Sequence, residues 1–119
     1  MSKRKIIFYS GSRADYGLLE PIIQRLYKKV DIYLVVGPHH FEKSFGKTNK
    51  YIKRKLFKKI FSCITKINYT NVDINKFIHS SLPHYKKTIQ NINPDMVVVL
   101  GDRYEVLSFV IASFFQNKK

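Results

Sequence analysis

Three short apolar runs constrain this chain more than any other feature: KIIFYS at 5–10, DIYLVV at 31–36 and DMVVVL at 95–100, closed by Gly11, Gly37 and Gly101. A strand with one wet face alternates apolar and polar residues, whereas a run this continuous is apolar on both faces. Gly11 and Gly17 permit a tight turn after the first run; helical spacing follows, where Leu19, Ile22, Ile23 and Leu26 share one face, and returns in RYEVLSFVIASFFQ at 103–116. Pro21 is placed near the first turn of its helix, where a missing N–H costs little.

The middle of the chain carries weaker signals. Residues 42–61 interleave lysines with Tyr51, Ile52, Leu56, Phe57, Ile60 and Phe61, which predicts a basic amphipathic helix. KINYTNVD at 66–73 is a polar strand candidate, and Asp73 caps a helix expected through about Ile92, with Pro83 kinking or restarting it. Asn93 and Pro94 then break the chain. The expected order is β-α-β-α-β-α-β-α, the pattern of a parallel sheet covered by helices on both faces. At 119 residues the chain has room for one domain with a real core, and its 45% hydrophobic residues argue against disorder.

Composition narrows the functional classes. No apolar run reaches the length that spans a bilayer, and MSKRKIIFYSG reads as a strand start rather than a signal peptide. A lone Cys63 excludes an internal disulfide and cannot supply a cysteine-based zinc site, so a cytoplasmic setting is expected. The formal net charge is +14, from 22 Lys and Arg against 8 Asp and Glu. That excess favours phosphates and anionic surfaces, so a small basic α/β protein binding nucleic acid through residues 43–59 stands as an alternative. The lysines of that segment are also what a solvated helix face carries, and this is the preferred reading.

In a parallel sheet, ligands collect at the carboxyl ends of the strands. Three polar clusters fall there: Gly11 to Asp15, Gly37 to His40, and Gly101 to Glu105. Arg13 beside a helix N-terminus could seat a phosphate or pair with Asp15. His39 and His40 could be acid–base groups or exposed imidazoles, while His79 and His84 belong to a helix without metal-ligand spacing around them. Asp102 could be a general base with a raised pKa, or a helix cap paired with Arg103.

Taken together, GSRADYGLLEPII, VVGPHHFEKSFGKT and PDMVVVLGDRYEVL resemble the N-terminal part of the hydrolysing UDP-N-acetylglucosamine 2-epimerases of sialic and nonulosonic acid synthesis. The likeness covers the chain in order and is weakest over residues 47–75. It implies a Rossmann-like parallel sheet forming the N-terminal half of a GT-B-like two-domain fold, with the nucleotide sugar in the cleft between halves. It also implies removal of the sugar C2 proton, elimination of UDP to a 2-acetamidoglucal, and addition of water to release N-acetylmannosamine, without metal or cofactor. Asp102 matches an essential carboxylate, Arg13 the arginine facing the diphosphate, and His39 the histidine of a G-x-H loop. Asp15, Arg103 and Glu105 belong to the same motifs as supports. Residues 1–119 are then an incomplete N-terminal domain, inactive alone: the next strand with its H-x-x-G-G-E segment is expected directly beyond them, the second domain after that, and the expected protein partner is the missing C-terminal half or a homo-oligomer.

Overall fold

The computed structural model describes residues 3–37, 52–62, 74–101 and 104–119. Within these residues four strands form one sheet in the order β3-β2-β1-β4: β1 (Lys5–Ser10), β2 (Asp31–Val36), β3 (Lys59–Ser62) and β4 (Met96–Val99). Every pairing is parallel, with Ile6 opposite both Ile32 and Met96, and Tyr33 opposite Lys59. Among the described residues three α-helices accompany them: α1 (Arg13–Leu26), α2 (Ile74–Ile92) and α3 (Tyr104–Phe115).

The strand pleat sorts each strand's residues between two cores. Ile7, Tyr9 and Val35 point to one face and pack with Tyr85, Ile89 and Phe109 of α2 and α3. Phe8, Ile32, Leu34 and Val36 point to the other and pack with Tyr16, Leu19 and Ile23 of α1. Helices therefore cover both faces, as the unbroken apolar runs require. Burial of these side chains is the main favourable term in folding, at roughly 25 cal/mol per Å² of apolar surface.

Several local expectations are corrected. Helix α1 begins at Arg13, because Ser12 is extended at φ −154° and its hydroxyl accepts from the Asp15 N–H at 3.3 Å. Pro21 consequently lies inside α1 rather than in its first turn, Gly17 is helical rather than a turn residue, and Ile22 is turned out to 49% exposure. Helix α2 runs unbroken through Pro83 and ends at Asn93, whose φ of 52° and N–H bond to Ile89 terminate it as expected.

The predicted basic helix over 42–61 is overturned where it can be seen. Arg54–Leu56 make a single 3₁₀ turn and Lys59–Ser62 form β3. Ile60 and Phe61 pack into opposite cores, which a short edge strand allows and a helix would not. Lys59 stays exposed, as suits an edge. The rest of that segment, Cys63, Asp73 and the strand expected at 66–73 lie outside the described residues. Among the described residues no helix is long and apolar enough to cross a membrane.

Candidate functional site

From β1 the chain crosses through α1 to β2 on one side, and from β3 it returns through α2 to β4 on the other side of β1. The direction of winding thus reverses between β1 and β4, and the crevice at the carboxyl ends of those two strands is the place where such sheets bind ligands. The residues leaving it are Gly11 to Arg13 after β1 and Leu100 to Gly101 after β4.

The turn after β1 is closed by its own polar groups. The Asp15 carboxylate accepts from the Gly11 N–H at 3.3 Å, and the buried Ser10 hydroxyl donates to the Ser12 carbonyl at 3.1 Å. Asp15 thereby helps set the turn that delivers Arg13, which is exposed at the first position of α1. The N–H groups of that first turn and the positive end of the helix dipole lie beside the guanidinium, an arrangement suited to an anion.

The turn after β2 is fastened to the first. Gly37 donates its N–H to the Ser10 carbonyl at 2.8 Å, and a Cβ at Gly37 would stand 2.7 Å from the Tyr9 hydroxyl and 3.2 Å from Gly11 Cα. Only a residue without a side chain lets these backbones approach so closely. After β4, Gly101 has φ 118°, a conformation that directs the chain where other residues rarely go.

Tyr9 joins these turns to α3. Its ring is 1% exposed, stacks on Phe109 at 5.0 Å and meets Tyr85 edge-on at 5.9 Å. Its hydroxyl lies 3.4 Å from the Tyr85 hydroxyl and donates to the Glu105 carbonyl at 3.5 Å. Glu105 itself is 1% exposed in the first turn of α3, so it faces the protein rather than the open rim. Tyr9 is the positioning residue that motif reading missed; an aromatic in a strand run carries no mark of what its hydroxyl touches. His39, His40, Asp102 and Arg103 lie outside the described residues. His79 and His84 are exposed on α2, as expected, and no three His, Cys, Asp or Glu side chains gather to hold a metal among the described residues.

In the first turn of α1 the phenol of Tyr16 accepts from the Lys53 N–H at 3.1 Å, and Lys53 pairs with Glu20, one turn further along the helix, at 2.9 Å. Burial, helped by Glu20, pushes the Tyr16 pKa up, against the lowering effect of the Lys53 N–H. Lys58 is 3.8 Å from Asp31. These contacts hold part of the basic segment against the domain.

A winding reversal with glycine-lined turns at the strand ends defines an open, parallel α/β domain of the Rossmann-like class. The family model for UDP-N-acetylglucosamine 2-epimerase matches residues 24–118, and the chain belongs to that family. It is 32% identical over 119 residues to the UDP-N,N'-diacetylbacillosamine 2-epimerase (hydrolyzing) of Legionella pneumophila, covering 96% of this chain and 31% of that protein. It is 34% identical over 112 residues to the GDP/UDP-N,N'-diacetylbacillosamine 2-epimerase (hydrolyzing) of Campylobacter jejuni, covering 91% and 29%. The fold matches the UDP-GlcNAc 2-epimerase of Neisseria meningitidis solved with UDP-GlcNAc at a TM-score of 0.75 and 16% identity, over 95% of this chain and 30% of that one. It matches MurG of Acinetobacter baumannii at 0.73 and 11% identity, over 97% and 33%. The chain therefore spans about a third of the length of the relatives it matches, at their N-terminal portion, and shares the Rossmann-like fold of that portion of their GT-B-like structure.

Proposed function

We propose that this chain supplies one wall of a hydrolysing 2-epimerase acting in the cytoplasm on a UDP-linked 2-acetamido sugar. Residues 1–119 form part of its N-terminal domain, and the nucleotide site is completed by a C-terminal half. The observation that carries the reading is the convergence of the Gly11, Gly37 and Gly101 turns on one rim, in a chain that belongs to the epimerase family.

In this reading Asp102 moves the proton at the sugar C2 as the C1–O bond to UDP breaks, giving a 2-acetamidoglucal. Water then adds across the double bond and releases the epimerised sugar beside UDP. A carboxylate acting as general base contributes about 10²–10⁴-fold, and cations stabilise the departing diphosphate. Arg13 is the cation on this wall, at the α1 N-terminus. His39 contacts the substrate, while Asp15, Arg103 and Glu105 hold the turns in place. The chemistry calls on no metal or organic cofactor. Nucleic-acid binding through the basic segment is less well supported, because Lys53 and Lys58 are paired with Glu20 and Asp31 and Lys59 sits in an edge strand.

The test is co-expression of this chain with the remainder of the Legionella relative, followed by assay of UDP release from UDP-N-acetylglucosamine and its diacetamido counterpart. Release that falls about 10²-fold or more in Asp102→Asn is expected. An assembly that never releases UDP, or releases it equally well with Asp102→Asn, contradicts the reading.

A further inference from the structure

We propose that the pole formed by the amino ends of β1, β2 and β3 is a docking surface for an anionic membrane, held there by charge alone. It stands apart from the candidate site, which lies at the opposite, carboxyl ends of the strands, and the inference does not draw on the family reading.

Parallel strands start at one end of the sheet, so the turns that enter them come together there. Lys3 and Arg4 lead into β1, Lys28 and Lys29 fill the turn from α1 into β2, and Lys58 precedes β3; all five residues are exposed. Short contacts knit these turns to one another. The Lys3 ammonium donates to the Lys28 carbonyl at 3.0 Å, the Asp31 N–H to the Arg4 carbonyl at 2.8 Å, and the Lys58 N–H to the Ile32 carbonyl at 2.8 Å. Among the described residues two carboxylates stand near, and both are engaged. Asp31 faces Lys58 at 3.8 Å, where the lysine side chain stays 62% exposed, and Asp95 is turned to the backbone of β1, accepting the Lys5 N–H at 2.8 Å. Cations at the end of a helix answer its dipole. That role accounts for Lys3 at the end of α1 but not for Arg4 and Lys58, at the starts of β1 and β3.

Charge complementarity selects an anionic partner, and the surroundings of the patch select a bilayer. A protein partner needs apolar anchors, and among the described residues no large exposed apolar side chain lies in these turns. A single-stranded nucleic acid needs aromatic faces on which bases stack. The rings of Tyr27 and Tyr33 are packed against the two cores, and the Lys28 ammonium lies 5.8 Å over that of Tyr27. Duplex phosphates favour a helix N-terminus, whereas α1 points its negative, C-terminal end here. Anionic headgroups require only a dense patch of cations, each worth roughly fivefold in affinity. A chain bound this way turns the rim at the far ends of the strands toward water.

The experiment sediments the 119-residue chain with vesicles of about 30% phosphatidylglycerol in phosphatidylcholine. Binding is expected at about 0.1 M salt and lost by about 0.5 M, with none to phosphatidylcholine alone. Lys28→Gln with Lys29→Gln should weaken it about 25-fold. Lys76→Gln with Lys87→Gln, the same change of net charge on exposed positions of α2, should weaken it less than about threefold. Urea midpoints near wild type are expected for both pairs because all four positions are exposed, and Arg4→Gln, at about fivefold, gives an independent reading of the same surface. Equal losses in the two pairs, binding that survives the Lys28 and Lys29 changes, or no vesicle binding at all overturns the proposal. So does a single-stranded or duplex oligonucleotide bound through these residues more tightly than the vesicles at the same salt.

Discussion

Replacing Gly37 by alanine tests how tightly the rim is built. The added methyl would meet the Tyr9 hydroxyl at 2.7 Å and Gly11 Cα at 3.2 Å, both closer than ordinary contact. The phenol cannot swing away cheaply, because its ring is 1% exposed and fixed between Phe109 at 5.0 Å and Tyr85 at 5.9 Å. Overpacking of this kind costs about 1–3 kcal/mol. Tyr9→Phe alone removes two long hydroxyl contacts, of 3.4 and 3.5 Å, and should cost about 1 kcal/mol. With both substitutions the oxygen that obstructs the methyl is gone. The double variant should then be more stable than the sum of the two losses by about 1 kcal/mol or more, the backbone contact with Gly11 limiting the recovery. Urea unfolding followed by circular dichroism reads the midpoints, and the slopes should stay constant if only the folded state is perturbed. Strict additivity, or a neutral Gly37→Ala, would refute the claim that Tyr9 ties these turns together.

Three further outcomes are expected. Ser12→Ala leaves the Asp15 N–H without its cap and should cost about 0.5–2 kcal/mol in chemical denaturation, with Ser12→Asn recovering most of it. Gly101→Ala forces a side chain onto φ 118° and should destabilise by about 1–3 kcal/mol, whereas Gly17→Ala, with open space at its Cβ, should stabilise by a few tenths to about 1 kcal/mol. Tyr16 keeps its proton in the folded chain above the pH at which an unfolded tyrosine loses it. The folded state therefore binds more protons from about pH 10 upward, and stability falls as pH rises through that range. Tyr16→Phe should flatten that decline in urea midpoints measured between about pH 9 and 11, and identical slopes would show that Tyr16 does not contribute to it.

Much of the scaffold was legible because the strands are continuous apolar runs and the breaks are chemically plain. The three runs became β1, β2 and β4, and Asn93 with Pro94 ended α2. The middle was misread because Ile60 and Phe61, adjacent in an edge strand, also satisfy the spacing of a basic helix, and only pairing with β2 separates the two. The start of α1 was placed late although Ser12 and Asp15 are spaced as a cap; the glycine at position 17 read as a turn and is helical. Of the rim, its position and glycines could be anticipated from strand ends. Tyr9 could not, since its partners Tyr85 and Glu105 are 76 and 96 residues away. The roles of Arg13, His39 and Asp102 come from motif resemblance, not from spacing.

The central claim is that the rim between β1 and β4 is where this chain meets a nucleotide sugar, and amide chemical shifts of the ¹⁵N-labelled chain titrated with UDP-N-acetylglucosamine test it most directly. One wall of a cleft should bind weakly, with millimolar ligand needed to shift signals, at a free energy of about −4 kcal/mol. The perturbed amides should be those of Gly11, Ser12, Arg13, Gly37 and Gly101, at the ends of β1, β2 and β4. Shifts centred on the basic residues 53–59 or on α2, with the rim unmoved, would contradict the account.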